Sequence, residues 1–502
     1  YYHAQYIIIE RGIYMSKDNV KENKAPRIPR KVTFIEAMML LIIIVGIMIW
    51  TALVAKAPTA MGVLYCAIVC AVYGMILGFK WDDMFVNVLD VVKTAMPALY
   101  FLMLVGFVSA SWIASGTIPY MIYLGLKIIH PSIFLFAAFL LTAIASMVTG
   151  SSWAIVTSLG LALGGIATGL GIPLHIAAGA IVSGCFLGDK WSPLSDTPNL
   201  SAASTGQNII KLFTSMIPTS GYGAILASIG FLIMGFMLPT GTSADTTTVT
   251  ELMNGLSSNF DFNILLLAPV IFVFIMAAMK YSILPVLSIG VGIGMVEAMI
   301  FQGKTFSELT KIVWNGYVSN TDIKVIDSLL SRGGAMSISG LVMLLFAAFT
   351  FAGLIEKIGV LDAIMEKLLK VIKSTGSLVL CTLITSIITV YLSSSVYVSI
   401  ILNGRMYDKA YRKKNLDIIN LSRTITEGSA YFGGMCPWSG GGLLVISSLG
   451  VGSWSYLPYV FGCWGAIFFT ILWGYTGKYM QKAEYDEDGN LISAELADTA
   501  ES

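Results

Sequence analysis

Gly188-Asp189-Lys190-Trp191-Ser192-Pro193-Leu194-Ser195-Asp196-Thr197-Pro198-Asn199 sets two carboxylates, an ammonium and several hydroxyls inside an otherwise apolar region. Pro193 and Pro198 each lack a backbone donor and break the helical ladder, so the stretch cannot be a lipid-facing helix. Non-helical backbone at membrane depth survives only where protein or a watery cavity surrounds it. The segment therefore reads as an unwound, cavity-lining break. Its hard oxygen ligands and one fixed cation suit a small cation or a proton better than a soft metal. The residues leave both passengers open.

The rest of the chain supplies the membrane. Of 502 residues 56% are hydrophobic and 12% charged, the mean hydropathy is +0.80, and soluble proteins carry about 25% charged residues. The chain reads as an all-α polytopic membrane protein. A formal net charge of +1 gives no reason to expect a nucleic-acid partner. Three His are too few for a zinc site or a Ser-His-Asp triad, so no enzyme and no cofactor are expected. The six cysteines lie mostly in apolar runs, and Cys66 and Cys70, four apart, read as core packing. The first apolar run is too long for a cleavable signal peptide. Residues 1–14 contain no Met, and Met15 ahead of a basic stretch reads as the natural start.

Charge distribution sets the topology. Lys17, Lys21, Lys24, Arg27, Arg30 and Lys31 precede the first span and place the N-terminus in the cytoplasm. Spans are expected at 34–53, 61–79 and 97–114, followed by an amphipathic interfacial segment at 118–130. The apolar block 131–168 is interrupted at Thr149-Gly150-Ser151-Ser152. An offset of 243 sets Thr142 on Thr385, Ile144 on Ile387, Ser151 on Ser394, Ser152 on Ser395 and Gly116 on Gly359. Slightly shorter offsets set Ser183 on Ser422, Pro198 on Pro437 and Pro218 on Pro458. The chain thus reads as a diverged duplication.

In the second copy Lys357, Lys367, Lys370 and Lys373 precede the matching block, and Arg405, Lys409, Arg412, Lys413 and Lys414 follow it. Both flanks are then cytoplasmic, so the blocks are re-entrant hairpins with tips at Thr149–Ser152 and Ser393–Ser395. The first copy's flanks carry little charge and fit the outside, which makes the copies inverted. Further spans at 173–206 (broken), 213–238, 263–279, 284–301, 337–355, 415–447 (broken) and 456–477 bring the total to ten, with both termini cytoplasmic. The expected organisation is a cytoplasmic extension (1–33), two N-terminal spans (34–96), a first repeat (97–238), a linker with two spans (239–336), a second, inverted repeat (337–477) and a cytoplasmic acidic tail (478–502), disordered from Glu484. The Thr/Ser-rich 240–261 and the amphipathic 302–333 fall outside.

Inverted repeats with broken helices imply alternating access around a midplane site. Four polar elements should converge there. These are the tip with Thr149, Ser151 and Ser152, the break with Asp189, Ser192, Ser195, Asp196, Thr197 and Asn199, the tip with Ser394 and Ser395, and a second break at Arg423–Ser429 followed by Pro437-Trp438. A carboxylate at membrane depth is expensive and favours its protonated form, so a proton can be exchanged there for a cation. Asp196, among hydroxyls and beside Asn199, is the first choice, with sodium bound at Asp196 and Asn199. Asp189 contacts the ion or pairs with Lys190. Arg423, Thr424 and Glu427 form a coupling element, Arg423 and Glu427 having the spacing of a helical salt bridge. Glu297, alone in its span, is a proton-path residue or reaches the interface. The bland reading of every hydroxyl is a bond to its own helix backbone. Trp153, Trp191 and Trp438 sit beside breaks and serve gating or packing.

Gly188-Asp189-Lys190 followed by Ser192-Pro193-Leu194-Ser195-Asp196-Thr197 and Asn199 resembles the NhaC-type sodium/proton antiporters. Thr149-Gly150-Ser151-Ser152-Trp153 is similar to that family's upstream Thr-Gly-x-Ser-Trp motif. The resemblance covers about 34–477 and implies secondary sodium/proton exchange in a bacterial plasma membrane. It also implies paired hairpins and broken helices. Its relatives include exchangers that couple sodium and protons to malate and lactate, so an organic acid or amino acid is the alternative passenger, with Arg423 gripping its carboxylate. The partners expected are the bilayer, sodium, protons, an organic anion in that alternative, and a second copy if a homodimer forms.

Overall fold

The computed structural model describes residues 29–128, 130–193, 195–238, 246–279, 281–485 and 491–494. Helix α1 (Phe34–Ile49) starts where Thr33 accepts from the Glu36 amide and the Glu36 carboxylate accepts from the Thr33 amide. Helix α2 (Thr59–Ile76) follows, and Cys66 and Cys70 are buried within it as packing residues. Helix α3 (Trp81–Ala114) begins well before the expected residue 97 and ends near Gly116, whose φ of 88° lets the chain turn into α4 (Thr117–Ile128) at 70°. Gly359, with φ 80°, makes the same turn between α15 (Ser339–Ile358) and α16 (Val360–Val371).

The correspondence continues. In the first copy come α5 (Phe134–Thr149), a polar tip, α6 (Ser152–Gly169), α7 (Leu174–Lys190), a break, α8 (Asp196–Ser204) and α9 (Ile209–Met237). In the second come α17 (Thr375–Ser393), a tip, α18 (Val396–Arg412), α19 (Ile419–Met435), a break, α20 (Gly440–Leu449), α21 (Ser453–Tyr456) and α22 (Phe461–Thr476). Between them lie α10 (Thr246–Asn259), α11 (Ala268–Ala278), α12 (Ile283–Phe301), α13 (Phe306–Asn315) and α14 (Lys324–Leu330). Among the described residues seven helices are long and apolar enough to span, or ten if each of three bent pairs is one span. Hairpin arms are among them, since Pro131–Thr149, Ser152–Gly169 and Thr375–Ser393 each have the length of a crossing.

The copies exchange half-helices. Helix α8 packs on α18 and α19, while α20 packs on α6 and α7, and the two longer broken halves, α7 and α19, touch each other. Within the first copy α5 and α7 approach closely because a Cβ at Gly184 would strike Thr142 and the Phe139 carbonyl, and one at Gly188 the Ala143 carbonyl. Ser146 Oγ donates to the Cys185 carbonyl at 2.6 Å across the same seam.

Two expectations are corrected, the place of the second break and the disorder of the tail. The second break is not at Arg423–Ser429. That stretch has no proline and runs as continuous helix within α19, and the chain unwinds at Cys436–Ser439, where Pro437 lacks an amide. The segment 117–128 buries Ile118, Ile122 and Leu126, with Ile122 against Gly165 of α6. It therefore packs on protein along that face. The tail is not disordered throughout, because β1 (Ala483–Tyr485) pairs antiparallel with β2 (Leu491–Ala494). The prefix 1–14 lies outside the described residues.

Candidate ion and substrate cavity

Both hairpin tips are built the same way. The chain leaves α5 through Gly150 at φ 69° and leaves α17 through Ser394 at φ 56°. The next residue, Ser151 or Ser395, caps the following helix by accepting from the amide three residues on. The first break is shaped by Ser195, which accepts from the Thr197 amide and is the cap of α8. Asp196 is thus the first helical residue, and the cap is Ser195.

These tips and breaks meet around one cavity of about 580 Å³. Its wall includes Gly150, Ser151, Ser152 and Trp153 from the first tip, Asp189, Ser195, Asp196 and Thr197 from the first break, and Ser393, Ser394, Ser395 and Tyr397 from the second tip. Gly433 and Ser439–Gly441 come from the second break. Asp189 is buried, and its carboxylate accepts from the Ser152 amide at 3.4 Å and the Thr197 hydroxyl at 3.3 Å. One residue of the tip and one of the half-helix thus converge on the carboxylate that ends α7. Asp196 is exposed on the same wall. Ser394 is buried, and its hydroxyl has no protein partner.

Other candidates stand apart. Asn199 does not line the cavity; its amide donates to the Ser195 carbonyl at 2.7 Å and the Pro193 carbonyl at 2.9 Å. Thr149 donates back to the Ala145 carbonyl, and Ser192 is buried with its amide turned to the Asp189 carbonyl. Thr424 donates to the Asn420 carbonyl.

Neither sequence-neighbour ion pair forms. Lys190 bonds Glu427 of the second copy, not Asp189, and both partners are fully buried. The Lys190 ammonium also lies 3.9 Å from the centre of the Tyr431 ring, and Thr219 donates to the other Glu427 oxygen at 2.8 Å. Arg423, freed from Glu427, donates to the Ser215 and Tyr479 carbonyls at 3.0 Å and does not reach the cavity. Both corrections have one cause. Helices α7 and α19 cross, and a charge buried at the crossing pairs with whichever opposite charge faces it. Glu297 is buried away from the cavity, accepting from Thr117 at 3.3 Å. Trp191 donates to Ser220, Trp438 to the Tyr391 carbonyl, and Trp153 packs edge-on to Phe101.

The sequence profile of the Na+/H+ antiporter family matches residues 184–478, from α7 through the second copy. The chain belongs to the Na+/H+ antiporter family. It is 33% identical over 448 residues to the malate-2H(+)/Na(+)-lactate antiporter of Bacillus subtilis, covering 89% of this chain and 96% of that protein. It is 33% identical over 449 residues to the Na(+)/H(+) antiporter NhaC of Alkalihalophilus pseudofirmus, with the same coverage. It is 32% identical over 465 residues to the arginine/ornithine antiporter ArcD of Halobacterium salinarum, covering 92% of this chain and 94% of that one. Membership of this antiporter family makes the chain a multi-pass membrane transporter.

Sequence reasoning missed several residues of this family member's cavity: Asn87 and Asp90 of α3, Glu356 of α15, and Ser439–Gly441. The glycine run after Pro437 was the available signal for the last group. Nothing local marked the others, which reach the cavity only through the packing of α3 against α15.

Proposed function

We propose that the chain is a secondary carrier that exchanges sodium for protons across a bacterial plasma membrane by alternating access. The observation that carries this reading is the meeting of both hairpin tips and both helix breaks on one cavity with Asp189 buried in its wall. Sodium takes oxygens from Asp189 and neighbouring hydroxyls of Ser195, Thr197, Ser151 and Ser394. A proton on Asp189 removes the charge that holds sodium, so the two passengers alternate on one carboxylate. Asp196, exposed on the same wall, draws cations in. Asn199 drops out of the proposed sodium site because it lies off the cavity.

The repeats 97–238 and 337–477 form the inverted halves, preceded by the two spans of 34–96 and joined by 239–336, with both termini cytoplasmic. Rocking of one half against the other opens the cavity to either side in turn. The Lys190–Glu427 pair holds the crossing of α7 and α19 through that motion. The mechanism needs no cofactor and no enzyme chemistry. An organic acid is not required, since Arg423 is engaged by backbone carbonyls away from the cavity.

Reconstituted vesicles carrying an imposed sodium gradient test this reading. Sodium alone should drive proton movement in the opposite direction. Proton movement that appears only when malate, lactate or an amino acid is added would overturn it.

A further inference from the structure

The charged residues on the cavity wall all have one sign. Asp90, Asp189, Asp196 and Glu356 line it, and among the described residues no Lys, Arg or His does. Lys190, next in sequence to Asp189, is turned onto Glu427. An organic anion would enter a field of like charge with no counter-ion on the wall. A volume of about 580 Å³ lies within the range of small-molecule sites. A bare sodium ion needs far less.

Two aromatic side chains follow the tips at matching positions, Trp153 one residue past Ser152 and Tyr397 two past Ser395, the cap residues Ser151 and Ser395 being equivalent. Both rings line the cavity, and Tyr397 is 43% exposed there. Ring faces beside carboxylates attract organic cations. A separate observation also points to a ligand, because the Ser394 hydroxyl on the same wall is 5% exposed and has no protein partner. A ligand N–H would satisfy this acceptor.

We propose that this cavity also binds a small organic cation, an alkylammonium or guanidinium, in competition with sodium. The proposal rests on the reading of the cavity as the transport site. The carboxylates of Asp189 and Asp196 take the cationic head, Trp153 and Tyr397 flank it, and Ser394 accepts one of its N–H groups.

Agmatine, which carries both an ammonium and a guanidinium, is the probe. In vesicles with agmatine on both faces, the apparent KM for sodium should rise with maximal rate unchanged, while malate and lactate at the same concentration should have no effect. Tyr397→Leu should weaken agmatine relative to sodium on the order of 3- to 10-fold, and Tyr397→Phe, which keeps the ring, should restore it. Intact sodium exchange that agmatine leaves unaffected, or that malate inhibits in its place, would overturn the proposal. If sodium drives no proton movement at all, the exchange reading fails by itself. Calorimetry on the detergent-solubilised full chain then decides the inference. Saturable agmatine binding that Tyr397→Leu weakens would support it, and no binding would overturn it.

Discussion

Ser394 has the left-handed backbone that Gly150 has at the equivalent tip, yet it carries a side chain. A non-glycine residue held there costs about 1–3 kcal/mol, and such strain concentrates at functional sites. Ser394→Gly should therefore raise thermal stability by about 1 kcal/mol. It should also weaken sodium about 3- to 10-fold through loss of one hydroxyl ligand. A melting curve in detergent and a sodium titration of exchange measure the two effects, and a gain in both stability and affinity would remove Ser394 from the site. Polar residues in an apolar context are conspicuous, so Asp189, Ser195, Asp196, Thr197 and the two tips were legible from sequence alone. Their ranking was not. Burial separates Asp189 from the exposed Asp196, and burial depends on the approach of α5 and α18 from elsewhere in the chain.

Among the helices, breaks are legible where proline enforces them. Pro193 marked the gap between α7 and α8, whereas Pro198 lies in the first turn of α8, where a missing amide donor breaks no ladder bond. In the second copy charge drew attention to Arg423–Ser429, but an ion-bearing stretch stays helical when neighbouring helices satisfy its side chains. Partner choice was hidden for the same reason, since Lys190 and Glu427 lie 237 positions apart. Their pairing has a measurable consequence. Lys190→Met or Glu427→Leu alone leaves an uncompensated buried charge and should destabilise by about 3–5 kcal/mol, whereas the double variant should recover most of that loss. Melting temperatures of the four proteins in detergent give the coupling. Additive losses would mean that the two side chains do not hold the crossing together.

At the scale of the whole molecule the duplication was legible as a near-constant offset, and the structure repeats its elements in the same order, down to the turns at Gly116 and Gly359. What sequence could not reveal is the exchange of half-helices between copies, because it involves contacts between segments far apart in the chain, such as Ser204 with Gly404. The proposed sidedness rests on the basic flanks of the second hairpin. Cysteines placed at Lys373 and Lys409, in a background without native thiols, should be labelled only from the cytoplasmic face. Labelling from opposite faces would mean that 376–403 crosses the membrane once and that the copies are not related as proposed.

Sodium and a proton are proposed to alternate on Asp189. Sodium-driven pH change in vesicles reconstituted with Asp189→Asn is the decisive measurement, with Asp196→Asn measured alongside. Asn keeps the shape and one oxygen but cannot carry the proton. Exchange should vanish in Asp189→Asn, in a protein that still inserts and melts cooperatively, and should persist with weaker sodium affinity in Asp196→Asn. Robust exchange by Asp189→Asn, with Asp196→Asn inactive, would contradict the account and move the exchanging carboxylate to Asp196.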